Sequence, residues 1–258
     1  MNYYIHNLDP IAFSLFGMPF PWYWLAYFFG YFWVLWSLKF LSRRGDIKLS
    51  EEVIHSYIFF GFFALVLSGK AFYILFYNLG HYLENPLDIL AIWKGGMSFH
   101  GALLGGAAWT LYYSRKKAIS FWKLTDPLCM VLPLTLFFGR LANFVNGELA
   151  GRVTEIPWAV VFNKFYDSHP RHPSQIYEAL LEGLLLFIIT MTLKKKLKTE
   201  AVMSIVFLTG YGCARFFVEF YRMPDPQIGY ILNYFSIGQV YCVLMIVLAG
   251  LIYKFKKN

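Results

Sequence analysis

The segment FGRLANFVNGELAGRVT, from Phe138 to Thr154, places a cation beside amides and a carboxylate at the edge of an apolar run. Arg140 and Asn143 are three residues apart, a spacing that puts both on one helical face. Asn146, Gly147 and Glu148 follow where the helix is expected to end. A guanidinium offers a fork of N–H donors that matches phosphate oxygens. The same residues would also make a structural Arg–Glu pair tying a helix end to a loop. The amides around Arg140 favour a functional role.

A second segment, GYGCARFFVEFYRMPD from Gly210 to Asp225, carries Tyr211, Arg215, Glu219 and Arg222 at spacings of 4, 4 and 3. That is one stripe on an otherwise apolar helix, so it must face other helices or a wet cavity. Glu219 can form an ion-pair ladder with both arginines. One glutamate against two arginines leaves surplus positive charge, which requires an anion, either Glu148 or a substrate phosphate.

Two further segments carry polar groups. GGMSFHGALLGG, Gly95 to Gly106, holds His100 among glycines. That histidine is a candidate base, phosphate donor or hydrogen-bonded spacer, and the glycines suit close helix packing. RHPSQIYEALLEG, Arg171 to Gly183, places Pro173 at an expected first helical position. Ser174, Glu178 and Glu182 follow at spacings of four, with Glu178 a candidate arginine partner. Tyr23 reads as an interfacial aromatic, Asp126 as a helix cap or a partner of Lys123, and Lys70 interrupts an apolar run.

The elements that must hold these groups are apolar. Hydrophobic residues make up 58% of the 258 and charged residues 15%, which places the chain in the membrane class. Seven runs are long enough to span a bilayer: Pro21–Phe40, Val53–Tyr77, Ser98–Tyr113, Leu124–Phe144, Ile176–Leu193, Ala201–Phe220 and Ile237–Tyr253. The fold expected is an all-α membrane protein of about seven transmembrane helices. Fifteen Lys and Arg follow the first, third, fifth and seventh runs, and five lie on the opposite side. The positive-inside rule then puts the N-terminus outside and the C-terminus inside. Lys70, Arg140 and Arg215 remain at membrane depth, where charge is expensive and marks function.

The net charge of +8 reads as topology signal and lipid-headgroup contact rather than nucleic-acid binding. The N-terminus lacks the basic region of a cleaved signal peptide. Cys129, Cys213 and Cys242 are expected to be small buried hydrophobes. No HExxH, GxSxG, P-loop or GxGxxG is present. A transporter for an anionic lipid would also use embedded arginines, but internal repetition is missing. An intramembrane protease lacks its paired acids, and a scaffold leaves two arginine centres unexplained.

GRLANFVNGELAG resembles the signature segment of prolipoprotein diacylglyceryl transferases. GGMSFHG, RHPSQIYEALLEG, GYGCARFFVEFYRMPD and DPIAFSLFG with WYWLAY are similar to family segments in the same order. The resemblance implies a single catalytic domain over residues 1–258, with residues 146–173 as a short periplasmic segment, in the bacterial inner membrane. It implies transfer of the diacylglyceryl group of phosphatidylglycerol to the lipobox cysteine of a preprolipoprotein, with release of glycerol phosphate. It implies no metal or soluble cofactor. By motif position, Arg140 binds the lipid headgroup, Arg215 is a second essential arginine and His100 is a proposed base. Asn143, Glu148, Gly151, Tyr23, Tyr211, Glu219 and Arg222 also fall on family positions. Two departures stand out: Ser68-Gly69-Lys70 replaces the Gly-Gly-Arg of many relatives, and the loop before Arg171 is shorter than in some.

Overall fold

In hydrocarbon the backbone must satisfy its own N–H and C=O groups, so each long apolar run is driven into a helix. The computed structural model describes residues 3–91, 96–223, 230–231 and 235–257. Lys94 and Gly95, and Pro224 and Asp225 of the second arginine segment, lie outside these described residues. In chain order the elements are β1 (Tyr4–Ile5), β2 (Ile11–Leu15), β3 (Met18–Pro21), α1 (Trp22–Arg43), α2 (Glu51–Tyr77), α3 (Leu79–Glu84), α4 (Phe99–Lys116) and α5 (Phe121–Asn146). Then come β4 (Val160–Val161), β5 (Pro170–Arg171), α6 (Ser174–Glu178), a π-helical segment (Ala179–Leu185), α7 (Leu186–Thr192), α8 (Val202–Val218), β6 (Tyr230–Ile231), β7 (Phe235–Ser236) and α9 (Ile237–Lys257).

Every expected apolar run is helical, with ends displaced by no more than four residues. Among the described residues, five helical stretches are long and apolar enough to cross a membrane: Trp22–Arg43, Glu51–Tyr77, Phe121–Asn146, Ser174–Thr192 and Ile237–Lys256. α8, at 17 residues, is shorter than the rest, and α4 is diluted by glycine and polar residues. Large apolar side chains such as Phe32, Leu67, Leu103 and Leu244 are exposed along these helices, the reverse of a water-facing surface. The short strands were not expected. Two-residue pairings carry no readable alternation.

The chain divides into two compact units, residues 38–125 and residues 1–37 with 126–258. In the first, Ser50 caps α2 by accepting from the Val53 N–H, and Ser98 caps α4 through the Gly101 N–H. α2 and α4 then pack closely through small residues. A Cβ at Gly105 would collide with the Ser68 hydroxyl, and one at Gly61 would lie 3.0 Å from the Trp109 indole nitrogen. Across the same contact Tyr57 and Thr110 share a 2.8 Å hydrogen bond. Lys70 is only 4% exposed. Its ammonium donates to the Tyr82 hydroxyl at 2.9 Å and sits 5.0 Å from that ring's centroid.

In the second unit, β2 and β3 form a hairpin that turns at Phe16 and Gly17, both at positive φ. β4 lies between β1 and β5, over a small core of Ala150, Val160 and Phe162. Asp126 is a cap, but neither of its own helix nor a partner of Lys123. Its carboxylate accepts from the Ser204 N–H at 2.9 Å and hydroxyl at 2.7 Å, at the start of α8. Pro173 precedes the first helical residue, Ser174, instead of occupying it. The cysteines are free, with Cys242 buried, Cys129 half-buried and Cys213 exposed, so Cys213 departs from the buried expectation.

Gly105→Val should therefore lower stability by about 1–3 kcal/mol through overpacking, read as a reduced Tm in detergent. Gly250→Ala, where nothing lies within 4 Å, should leave Tm unchanged or higher.

Candidate active site

α5 ends inside the first arginine segment because Gly147 adopts φ 72, which reverses the chain. Glu148 then folds back, its N–H donating to the Asn143 carbonyl at 3.2 Å. Its carboxylate accepts from the Asn143 amide at 2.7 Å and the Asn146 amide at 3.4 Å. The Asn143 side-chain oxygen faces Arg140, whose Nη1 lies 3.5 Å away. Glu148 therefore orients Asn143, which in turn faces the guanidinium. Gln175 closes the turn by donating to the Glu148 carbonyl at 2.5 Å.

Arg140 and Arg215 meet on a single atom. Oε2 of Glu178 accepts from Arg140 Nη2 and from Arg215 Nη1, both at 2.8 Å. Arg222 Nη1 binds the other oxygen, Oε1. Glu182, one turn on, lies 3.6 Å from both Arg140 and Arg215. Glu219 completes the ladder, pairing with Arg215 at 2.7 Å and Arg222 at 3.2 Å. Three arginines thus face three glutamates. This corrects the expectation of a cationic stripe balanced by Glu148 or a phosphate, because Glu178 and Glu182 are the additional anions. Glu178 was a candidate for one arginine and binds three.

Glu178 and Glu182 are four residues apart, a spacing that puts both on one helical face. Glu182 lies in the π-helical segment that follows α6. Gly183 lets this segment press on α5, since a Cβ there would lie 2.6 Å from the Phe137 Cα. The cluster is layered. Glu178 and Glu182 have no exposed side-chain surface, while Arg140, Arg215 and Arg222 keep 21%, 16% and 12%. Glu178 and Glu182 are thus the buried layer, and the arginine side chains around them keep some exposure.

The end of α8 is held from two sides. Arg152 donates to the Arg222 carbonyl at 2.8 Å and the Glu219 carbonyl at 3.2 Å. Gly151 sits between the Tyr221 and His172 backbones and leaves no room for a Cβ. On the other side, the Ser236 hydroxyl donates to Glu219 Oε2 at 2.7 Å. Ser236 and Gln239 cap each other at the start of α9, and Gly238 makes space for the Glu219 carboxylate. The N-terminal partial charge of α9 adds to the stabilisation of that anion.

Arg171 does not join the cluster. It is buried, pairs with Asp167 at 2.9 Å and donates to the Gly151 carbonyl at 3.3 Å. The Arg171 hydrogen bond holds the Asp167 carboxyl below the usual carboxylate range. Burial, then the nearby Arg152 charge, pushes the His172 imidazole below its usual value. Tyr23 shares a 3.2 Å hydrogen bond with Tyr27, which lies within electrostatic range of Glu148 and Arg140. Tyr211 lies within range of Glu182, Arg215 and Arg140. His100 belongs to the other unit, exposed in the first turn of α4. Among the described residues no three His, Cys, Asp or Glu converge as metal ligands.

Sequence reasoning missed Glu182, Arg152, Tyr27, Ser236 and Gly238 as parts of this arrangement. Ser236-x-x-Gln239 has the spacing of a capping box and was legible. Two acids within an apolar span also demand counter-charges. Glu178→Ala strands three guanidinium groups, so it should cost about 3–5 kcal/mol of stability. A Tm in detergent close to wild type would contradict that role.

A model of the family described as prolipoprotein diacylglyceryl transferase matches residues 10–255. Three relatives carry the name phosphatidylglycerol–prolipoprotein diacylglyceryl transferase. The protein from Aliivibrio salmonicida is 40% identical over 254 residues, covering 98% of this chain and 89% of the relative. That from Idiomarina loihiensis is 44% identical over 246 residues, covering 93% and 90%. That from Geobacter sulfurreducens is 42% identical over 234 residues, covering 91% and 90%. With likeness running nearly end to end and through every segment of the arginine cluster, the chain belongs to the prolipoprotein diacylglyceryl transferase family.

Proposed function

We propose that Arg140 and Arg215 hold the phosphate of phosphatidylglycerol while a cysteine thiol of a prolipoprotein displaces it. The protein is a phosphatidylglycerol–prolipoprotein diacylglyceryl transferase, which carries out the first step of lipoprotein maturation. The observation that carries the site assignment is the convergence of both guanidiniums on one Glu178 oxygen, with each arginine side chain still partly exposed.

The thiolate of the lipobox cysteine attacks the glyceryl carbon bonded to the phosphate oxygen. The C–S bond forms as the C–O bond breaks, and its electron pair leaves on glycerol phosphate. The thiol proton departs to a base or to water. Negative charge grows on the phosphate, so donors fixed beside it bind the transition state more tightly than the ground state. Each guanidinium has five N–H donors, and the glutamates use only some. Arg222 supports the pair from the same stripe, and Asn143, oriented by Glu148, adds an amide beside Arg140. Gly151 keeps the loop tight against α8. Tyr23, through Tyr27, and Tyr211 line the approach, and Glu219 sets the angle of Arg215. His100 is the candidate base that raises the thiolate fraction, since a free thiol near pKa 8.5 is only partly ionised.

The topology that serves this reaction has seven spans, with α4 and α8 joining the five longer ones. The N-terminus and residues 146–173 lie on the periplasmic side of the bacterial inner membrane and the C-terminus in the cytoplasm. The single domain, residues 1–258, is catalytic throughout. The skew of Lys and Arg toward one set of connections supports this orientation.

Reconstitution with phosphatidylglycerol and a lipobox peptide tests the reaction. Each modified cysteine should gain one diacylglyceryl mass with equimolar glycerol phosphate, and lipid movement without that product would leave a flippase instead. Arg140→Lys should lose about 10²–10³ in kcat, as one donor removed from a charge-stabilising site does. Near-normal transfer by that variant would remove the fork from the mechanism. His100→Asn should slow transfer most at acid pH, where the thiol needs a base. A pH profile equal to wild type would assign His100 a spacer's role.

A further inference from the structure

Three carboxylates serve the arginine cluster, and they are not equivalent. Both Glu178 oxygens accept charge-assisted hydrogen bonds from arginine. Glu219 Oε1 meets two guanidiniums and Oε2 accepts from Ser236. Glu182 differs from both. Its side chain has no exposed surface, and neither oxygen accepts a hydrogen bond among the described residues. Its ion pairs with Arg140 and Arg215 stretch to 3.6 Å, while those arginines spend their short contacts on Glu178. A buried carboxylate with no donor is the costliest of the three to keep charged.

Charge counting gives this asymmetry a consequence. With all three glutamates ionised, the three arginines are matched and the cluster offers no net charge to an anion. With Glu182 neutral, three guanidiniums face two carboxylates and one positive charge remains. One phosphodiester carries one negative charge.

We propose that Glu182 carries a proton whenever the arginine cluster holds an anionic lipid phosphate, and so sets the site's charge to match a single phosphodiester. This rests on the reading of Arg140 and Arg215 as the phosphate ligands. Glu182 is a positioning residue here, since it lies beneath the guanidiniums and acts through them. The proton comes from bulk water as the lipid binds, and no bond other than O–H forms. The charged and titratable groups facing Glu182 are Glu178 on its own helix, Arg140 from α5, Arg215 and Tyr211 from α8, Arg222 just beyond the end of α8, and Cys242 from α9. Of these carboxyls and cations, each except Glu182 has a short ionic or hydrogen-bonded partner. Glu182 is therefore the group that changes charge at least cost.

The sign follows from linkage. If the lipid binds the form with Glu182 protonated, raising pH opposes binding. The KM for phosphatidylglycerol should climb toward about tenfold per pH unit on the alkaline side of a range from about pH 6 to 9, with kcat at saturating lipid much less affected. Glu182→Gln mimics the neutral acid, so its KM should stay near the wild-type low-pH value across that range. A wild-type KM flat with pH, or a slope that survives in Glu182→Gln, would overturn the proposal. Should Glu182→Gln fail to fold, the wild type answers alone. Adding phosphatidylglycerol at about pH 9 should produce infrared absorption of a newly protonated carboxyl, one proton taken up per lipid, and no such gain would overturn it. The reading of function fails separately, by wild type giving no diacylglyceryl-cysteine from phosphatidylglycerol at any pH. Transfer with a pH-independent KM would sink only the role of Glu182.

Discussion

Glu178, buried without exposed surface, binds Arg140, Arg215 and Arg222 at once. The placement of the other parts of the site depends on this carboxylate. An arginine at membrane depth costs about 2.5–3.5 kcal/mol on insertion scales, and three guanidiniums close together would also repel one another. One anion shared by three guanidiniums offsets both penalties and fixes their direction. Arg140 comes from α5, Arg215 from α8 and Arg222 from the turn beyond it, so the shared anion on α6 also holds three helices to one geometry. In a bilayer, where helices gain little from burying apolar surface against each other, such a polar anchor matters more than it would in water.

The backbone around that anchor is shaped to keep it in place. Glu182 sits in the π-helical segment one turn beyond Glu178, and Gly183 lets the segment approach the α5 backbone. Arg152 and Gly151 draw the loop after α5 onto the carbonyls just beyond the end of α8. Ser236 and Gly238 bring the start of α9 against Glu219. Each contact restrains a residue that orients a guanidinium. An arginine side chain has several rotatable bonds, so its aim must be set by such neighbours.

The helices and the arginine stripe were legible because apolar length and three- and four-residue spacing are local properties. Arg215, Glu219 and Arg222 form the ladder their spacing implied. What spacing could not give was which helix supplied the counter-charge, because Glu178 and Arg215 are 37 residues apart and only packing joins them. The surplus of positive charge inferred from α8 alone was an error of the same origin. A count over all spans would have set Glu178 and Glu182 against Arg140 and Arg215. The cap that Asp126 makes on α8 lies 78 residues away and has no local signal. The two-residue strands show no alternation to read. The loop from Asn146 to Pro173 was legible as polar, yet its inward-facing Arg152 and Arg171 look in sequence like ordinary surface cations.

The order of the layers bears on the direction of catalysis. Were the carboxylates on the open side and the arginines beneath, an approaching phosphate would meet like charge first. Here the arginine side chains keep some exposure and Glu178 and Glu182 have none. On the proposed reading, these buried carboxylates keep the arginines aimed before substrate arrives, so little reorganisation is needed as the leaving phosphate gains charge. That preorganisation distinguishes a catalytic site from a binding site of equal charge, because the interaction strengthens along the reaction coordinate without a compensating rearrangement. Lysines could not hold the same arrangement. An ammonium is a compact point charge without a planar fork, whereas Arg215 reaches Glu178 with one nitrogen and Glu219 with another.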